Sequence, residues 1–250
     1  MLAALDAGVP AYPGVDDEFV ADPVGWRRLT DVFEHVGGVP ATAAAMRLSV
    51  SDAERVELDR RSSALADFRA LEERAAPWAM PPLLREPMAA WQFDTLADRQ
   101  GPVSDLVGAR DEMVAAASAV GVEIGGFVQA EFETATTSMD RAWVRHAEQR
   151  ETLDVVAEAL RLEADDRGLL SVIGMWGNDP DVAKVAVLEA WDRGDFDQAA
   201  ADAHELIDDL ESSVGRGTLR VVVPVALVVG IAIALQTGLS RRPRRVHSVE

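Results

Sequence analysis

VVVPVALVVGIAIALQTGL, residues 221–239, decides the fold class of this chain because these nineteen residues carry no charged side chain. At about 1.5 Å per residue such a helix is roughly 28 Å long, close to the ~30 Å hydrocarbon core of a bilayer. A core helix of a soluble protein is the alternative, but such helices rarely exceed ~14 wholly apolar residues. The stretch therefore predicts a single transmembrane helix over 221–239.

Arginines are distributed unequally around this predicted span. Arg220 precedes it, whereas the tail 240–250 contains four arginines, Arg241, Arg242, Arg244 and Arg245. Basic flanking segments stay in the cytoplasm. The asymmetry predicts a single-pass protein of the cell membrane, with a cytoplasmic C-terminus and the preceding residues outside the cell.

The N-terminal segment does not match that orientation by itself. Residues 1–21 have neither the basic start nor the apolar core of a secretory signal, and several acids lie among them. We therefore expect the chain to be the C-terminal end of a longer exported precursor. The alternative is a tail-anchored protein whose helices lie in the cytoplasm.

Composition limits the classes of partner and of chemistry. Five of the 24 basic and one of the 43 acidic residues lie at or beyond Arg220, so the preceding part carries 19 basic and 42 acidic side chains, a formal charge of −23. Such a surface repels phosphate groups, so no nucleic acid partner is expected. The chain has no cysteine, which excludes disulfides, thiolate metal sites and a cysteine nucleophile.

Helix signals recur along the chain and predict an all-α fold, an elongated antiparallel helical bundle or coiled coil with a C-terminal transmembrane helix. Residues 1–21 are expected to be a linker or the end of a preceding domain, and 22–214 an extracytoplasmic bundle. Ser51 and Glu54 form a capping-box pattern at the start of a long helix. The apolar, proline-rich segment Pro77–Phe93 predicts a hydrophobic corner, with a new helix beginning near Pro87.

Proline, glycine and heptad signals predict how the helices of two later segments are divided. Gly101 and Pro102 predict an interruption of the helix that follows the proline-rich corner. Apolar positions then alternate by three and four residues, which predicts one long helix over 127–164 packed as a coiled coil. Its seam contains Val128, Phe132, Ala135, Met139, Ala142, His146, Gln149, Leu153, Val156 and Leu160.

The last part of the chain predicts a helical hairpin over 178–214, a hinge at 215–220 around Gly215 and Gly217, and then the membrane span. In the span, small residues recur at steps of four, at Ala226, Gly230, Ala234 and Gly238. Such a stripe lets two transmembrane helices approach closely, so it predicts a possible homodimer through the span.

No pattern supports catalysis or a bound metal. The sequence HELID at 204–208 has the first histidine and the glutamate of a zinc-protease HExxH motif but aspartate in place of the second histidine. A solvated helix face explains these residues better, and we expect no metal, no cofactor and no enzymatic activity from this chain. The six tryptophans, on apolar helical faces, are expected to pack in the core.

The order of several features resembles the C-terminal helical region of large membrane-anchored exported proteins of high-GC bacteria, some of which carry a peptidase MA-type domain upstream. These features are Trp78, Pro81, Met88, Trp91 and Phe93, then the turn Gly194, Asp195, Phe196 and Ala199, and then the span with its arginine tail. The HExxH motif of such hydrolases is absent from the sequence. The resemblance therefore implies a stalk and anchor and assigns no catalytic residue.

These observations predict a non-enzymatic, membrane-anchored helical stalk that presents an upstream domain or a partner protein outside the cell. The alternatives are a helical protein-binding module on the membrane surface and an accessory part of an exported hydrolase. The proline-rich corner separates the first two, since a stalk predicts that Pro77–Phe93 is buried, whereas a binding module predicts an exposed apolar patch there.

Overall fold

A computed structural model describes residues 11–16, 20, 25–47, 51–165 and 168–240, with side chains described up to Ile231. The described residues form helices and no strand, which confirms the all-α prediction, whereas the predicted bundle or coiled-coil arrangement stays a prediction. The chain divides into two units, Met1–Arg150 and Glu151–Glu250. The helices are α1 Trp26–Asp31, continued by a π-helical turn Val32–Val36, α2 Ala41–Ala45, α3 Asp52–Ala75, α4 Pro82–Ala89, α5 Phe93–Ala119, α6 Phe127–Glu133, α7 Asp140–Ala164, α8 Leu169–Gly174, α9 Pro180–Arg193 and α10 Phe196–Ser240.

In the first unit, α3 begins at the predicted capping box. The Ser51 hydroxyl accepts from the Glu54 backbone N–H, and the Glu54 carboxylate accepts from the Ser51 backbone N–H. Leucines and Phe68 recur along one face of α3 and are buried, because the 3.6-residue period of the helix places them on one side. This face lies in a core with α4 and α5, whose buried members include Leu84, Met88, Leu96, Leu106 and Met113.

The proline-rich segment Pro77–Phe93 is a buried corner. Nine of its residues are buried, namely Met80, Pro81, Leu83, Leu84, Pro87, Met88, Ala89, Trp91 and Phe93. The helix within it starts at Pro82 rather than near Pro87, since proline is favourable in the first helical turn, where a backbone N–H has no helical partner.

Two predictions about where helices break were wrong: one predicted break is absent, and one break is present that was not predicted. α5 runs through Gly101 and Pro102 without interruption, so tertiary packing of Val103 and Leu106 outweighs the local cost of proline. The predicted helix 127–164 is instead two helices, α6 and α7, separated at 134–139.

The break between α6 and α7 follows from local polar groups and from packing. Its sequence, TATTSM, is rich in hydroxyl side chains, which compete for backbone hydrogen bonds. The Thr134 hydroxyl donates to the Ala130 carbonyl, and the freed Ala135 carbonyl accepts from the Leu83 backbone N–H at 2.9 Å. The apolar seam remains buried on both sides of the break, apart from the half-buried His146.

The predicted linker 1–21 has a packed part. Within its described residues, Tyr12 is buried, and its ring lies 4.7 Å from the His35 ring and 5.9 Å from the Phe68 ring, measured between centroids. An aromatic side chain gains too much from burial to remain in solvent when such a pocket is available.

The second unit contains the end of α7 with α8, α9 and α10. Asp179 caps α9 by accepting from the Asp181 N–H at 3.0 Å, and Gly194 ends it in a left-handed conformation with φ of 75°. The buried face of α9 contains Val187, Ala190 and Trp191, whereas Val182 and Val185 are exposed. These side chains pack with α10 through Phe196, Ala199, Ala203, Leu206 and Leu210.

The predicted hinge at 215–220 is wrong, because α10 is one continuous helix of 45 residues from Phe196 to Ser240. Gly217 is explained by a close helix contact instead of a bend. A Cβ at Gly217 would lie 1.7 Å from the Leu170 carbonyl oxygen of α8. Glycine is needed there so that the two backbones can touch.

Candidate membrane-anchoring site

The C-terminal half of α10 is apolar and exposed. Every described side chain from Val221 to Ile231 is exposed, and Leu227 retains 64% of its surface. By length and composition α10 could cross a membrane, and it is the one such helix among the described residues. A core helix of a soluble protein would bury this surface.

The four small residues predicted to form a packing stripe all lie on α10. Ala226 and Gly230 are exposed, and an added Cβ at Gly230 would meet no atom within 4 Å. Ala234 and Gly238 belong to the same helix, but their side chains lie outside the described part. The predicted topology residues, Arg241, Arg242, Arg244 and Arg245, also lie outside the described residues.

The short helix α8 packs against α10 just before the apolar stretch. The Ser171 and Ser213 hydroxyl oxygens are 2.6 Å apart, and the Ser213 hydroxyl donates to the Leu210 carbonyl. A Cβ at Gly174 would lie 1.7 Å from the Ser213 carbonyl oxygen. Small side chains therefore let the two backbones meet directly.

Arg220 closes the C-terminal end of α8. Its Nη1 donates to the carbonyl oxygens of Ile173, Gly174 and Trp176 at 2.8, 3.1 and 2.8 Å. These carbonyls lie at and just beyond the end of α8, and a cation is favourable at this negative end of the helix dipole. One turn earlier, the Arg216 guanidinium pairs with the Asp209 carboxylate at 2.8 Å.

The other face of α8 is apolar and exposed, which overturns one prediction about tryptophan. Trp176 retains 81% of its surface, although all six tryptophans were expected to pack in the core. Trp91 and Trp191 are buried, and the other three are half-buried. Leu169 and Val172 share the exposure of Trp176 at 76% and 56%.

The first unit contains a separate cluster of buried charges. The Arg61 guanidinium is fully buried, and its Nε donates to the Asp31 carboxylate at 2.7 Å. Its Nη1 donates to the Glu34 carboxylate and to the Thr42 hydroxyl. The Trp91 indole N–H donates to the second oxygen of Asp31 at 2.9 Å.

Burial and partners shift the pKa values in this cluster in opposite directions. Burial raises the pKa of Asp31 from 3.8 to about 6, against the opposing effect of Arg61. Burial also opposes ionisation of Glu34, but the Thr42 N–H and Arg61 together hold the pKa of Glu34 below its ordinary value. Asp31 and Glu34 share one guanidinium. Asp31 is the more deeply buried of the two carboxylates and is therefore the more easily protonated.

This buried cluster joins α1, the π-helical turn, α2, α3 and the turn after α4. Each of its carboxylates is bonded within the cluster, and Asp31, Glu34 and Arg61 have at most 8% exposed surface. A catalytic carboxylate needs access to substrate, so the cluster has the properties of a structural ion pair. Sequence reasoning missed it, although Arg61 lies three residues after Leu58 and four before Leu65, on the buried face of α3.

The residues of the incomplete HExxH motif lie on the surface of α10. His204 and Glu205 are exposed on α10, and the described part of the chain contains no group of three His, Asp or Glu residues arranged to hold a metal ion. The geometry of the molecule therefore points to α8 and α10 as its candidate functional site.

Comparison of the chain with protein-family models, with curated proteins and with solved structures finds no match.

Proposed function

We propose that this protein is a single-pass membrane anchor whose helices hold an attached domain or a bound partner at the outer surface of the cell membrane. The observation that carries the proposal is the continuity of α10. Its first half contributes Ala199, Ala203 and Leu206 to the core of the second unit, and its second half exposes an uncharged apolar surface. A helix built in this way fixes a folded unit directly to a bilayer.

Burial of the proline-rich corner supports a stalk over a module that binds partners through Pro77–Phe93. A docking surface at that corner requires exposed apolar side chains, whereas Leu84 and Met88 there are fully buried. The resemblance to exported proteins of high-GC bacteria is consistent with a stalk, and we include membership of that group of proteins in the proposal.

Anchoring is tested with charges placed in the apolar half of α10. Membranes from cells that produce the tagged chain are washed with alkaline carbonate, which releases proteins that do not span the bilayer. Wild type should stay in the pellet, and Val225→Asp/Val229→Asp should be released, since each aspartate near the centre of a span costs about 3 kcal/mol. Val56→Asp/Val144→Asp is the matched control, because both valines are exposed helical residues outside α10.

The control variant should remain in the pellet with wild type. Release of wild type by carbonate would refute the anchor. Equal release of both double variants would show that the effect comes from misfolding.

Orientation is tested separately with a cysteine at an exposed position. Because the chain has no cysteine, Val144→Cys offers a single thiol, on α7. An outward orientation predicts that a membrane-impermeant maleimide labels it in intact cells. Labelling only after the cells are lysed would favour the tail-anchored cytoplasmic alternative.

A further inference from the structure

Helix α8 has two unlike faces. Ser171 and Gly174 lie against α10, whereas Leu169, Val172 and Trp176 are exposed. Leu169 and Val172 are three residues apart, which places them on one side of α8, and the exposed Trp176 follows two residues after the end of that helix. Unit 2 thus carries a short apolar face that none of its own described residues covers.

The position of α8 along α10 shows what lies next to this face. The Leu170 carbonyl is in contact with Gly217, and the Ile173 and Trp176 carbonyls accept from Arg220. Val221, the next residue, begins the uncharged stretch. α8 therefore lies beside the last turns of α10 before that stretch, where Leu219 is also exposed.

The backbone carbonyls at the C-terminal end of α8 are hydrogen-bonded within the protein, which suits an environment with little water. Three carbonyls at and just beyond its C-terminal end accept from Arg220, and the Ile173 carbonyl also accepts from the Trp176 N–H. An unsatisfied carbonyl is costly where water is scarce, so these hydrogen bonds favour placing this end of α8 close to the hydrocarbon boundary.

The side chains match the chemistry of the same layer. Tryptophan is enriched where hydrocarbon meets headgroups, because its ring is apolar and its N–H can still find a polar partner. Leucine and valine on the same side add apolar area, and short amphipathic segments bind bilayers through such area.

We propose that α8 lies in the interfacial layer of the bilayer that α10 crosses, with Leu169, Val172 and Trp176 in contact with lipid. This inference rests on the proposed membrane anchor. It adds a second lipid contact that holds unit 2 against the membrane surface, where α10 alone would leave it free to tilt.

The test uses the full chain, in which any introduced cysteine is the single thiol. Leu169→Cys, Val172→Cys and Trp176→Cys are each labelled with an environment-sensitive fluorophore and reconstituted in vesicles of phosphatidylcholine and phosphatidylglycerol. In separate vesicle samples, some of the lipid carries a nitroxide either near the headgroup or near the end of the acyl chain. Val229→Cys reports on the apolar half of α10, and Val144→Cys is the exposed control on α7.

The three α8 labels should lose about half of their fluorescence to the lipid nitroxide, as expected for side chains at the level of the headgroup and acyl boundary. The Val229→Cys label should be quenched by the acyl-chain nitroxide, and the Val144→Cys label should be quenched by neither. Circular dichroism of each variant should match that of wild type. Agreement between the three labelled positions would show that the quenching does not come from a local distortion at one of them.

Three results would overturn the inference, and they are distinguishable. If Val229→Cys is quenched but the α8 labels behave like Val144→Cys, the anchor stands and the interfacial position of α8 is wrong. If Val229→Cys is not quenched, both proposals are wrong. If the α8 labels shift to the blue without quenching by lipid, a protein surface or a second copy covers them instead of lipid.

Discussion

Gly174 and Gly217 meet so closely that each occupies the space that a side chain on the other helix would need. A Cβ at Gly174 would lie 2.9 Å from the Gly217 backbone nitrogen, and one at Gly217 would lie 3.1 Å from the Gly174 nitrogen. The contact brings α8 against α10 beside the start of the uncharged stretch.

Gly217→Ala should destabilise the second unit by about 3 kcal/mol, because its Cβ would collide with the Leu170 carbonyl and the backbones would have to separate. Gly215→Ala is the matched control. A Cβ there meets no atom within 4 Å, so alanine should stabilise the helix by about 0.5–1 kcal/mol. Urea unfolding of the detergent-solubilised chain measures both, and equal effects would contradict the close contact.

Arg220→Met should loosen α8 without unfolding the unit. It removes the donor to three carbonyls, at about 1 kcal/mol for each hydrogen bond lost. Backbone amides of α8 should exchange with solvent about tenfold faster or more. Arg193→Met is the control, since Arg193 makes only an exposed pair with Glu189 at 3.9 Å. Unchanged exchange in Arg220→Met would show that this cap contributes little.

Asp31 should make the stability of the first unit depend on pH. Because the pKa of Asp31 is raised from 3.8 to about 6 in the folded state, the folded state binds this proton more tightly than the unfolded state. The contribution is fully present below pH 3.8 and is lost as pH rises through about 6.

The measurement is the free energy of unfolding of wild type relative to Asp31→Asn across this pH range, followed by tryptophan fluorescence. The advantage of wild type should shrink by up to about 3 kcal/mol as pH rises. Val56→Ala, at an exposed and uncharged position of α3, is the control and should give a difference that is independent of pH. An advantage of wild type that grows with pH would mean that Arg61 holds the pKa of Asp31 down.

Self-association through the small-residue stripe of α10 remains a prediction. Gly230→Leu should weaken energy transfer between labelled chains in vesicles, by on the order of 1 kcal/mol of association free energy, because a large side chain keeps two helices apart. Val229→Leu changes a neighbouring position on a different face and should have little effect. No energy transfer in wild type would exclude a homodimer through the span.

Long apolar periodicity was the most informative signal in the sequence. It identified the buried positions of α6 and α7, since a period of 3.6 residues is a direct consequence of helix geometry. The apolar half of α10 was identified by an uncharged run of nineteen residues and not by a period. Glycine and proline were less informative, because their local cost is small beside packing. α5 therefore continues through Pro102, and α10 continues through Gly215.

What the sequence could not show was where charges and small residues meet in space. Arg61 and Arg110 both lie on apolar faces, where a charge indicates a buried partner. Arg61 pairs with Asp31 and Glu34, and Arg110 donates to the Arg74 and Ala75 carbonyls at the end of α3. Their partners are some thirty residues away along the chain, and periodicity carries no information about such pairs.

The continuity of α10 has a mechanical consequence. The same hydrogen-bonded helix contains Ala203, which packs in the core of the second unit, and Leu227, which belongs to the apolar half. A helix resists twisting, so a rotation of the apolar end about its axis is passed on to that core instead of being absorbed by a flexible joint. The apolar half of α10 and the folded second unit are therefore torsionally coupled and must turn together.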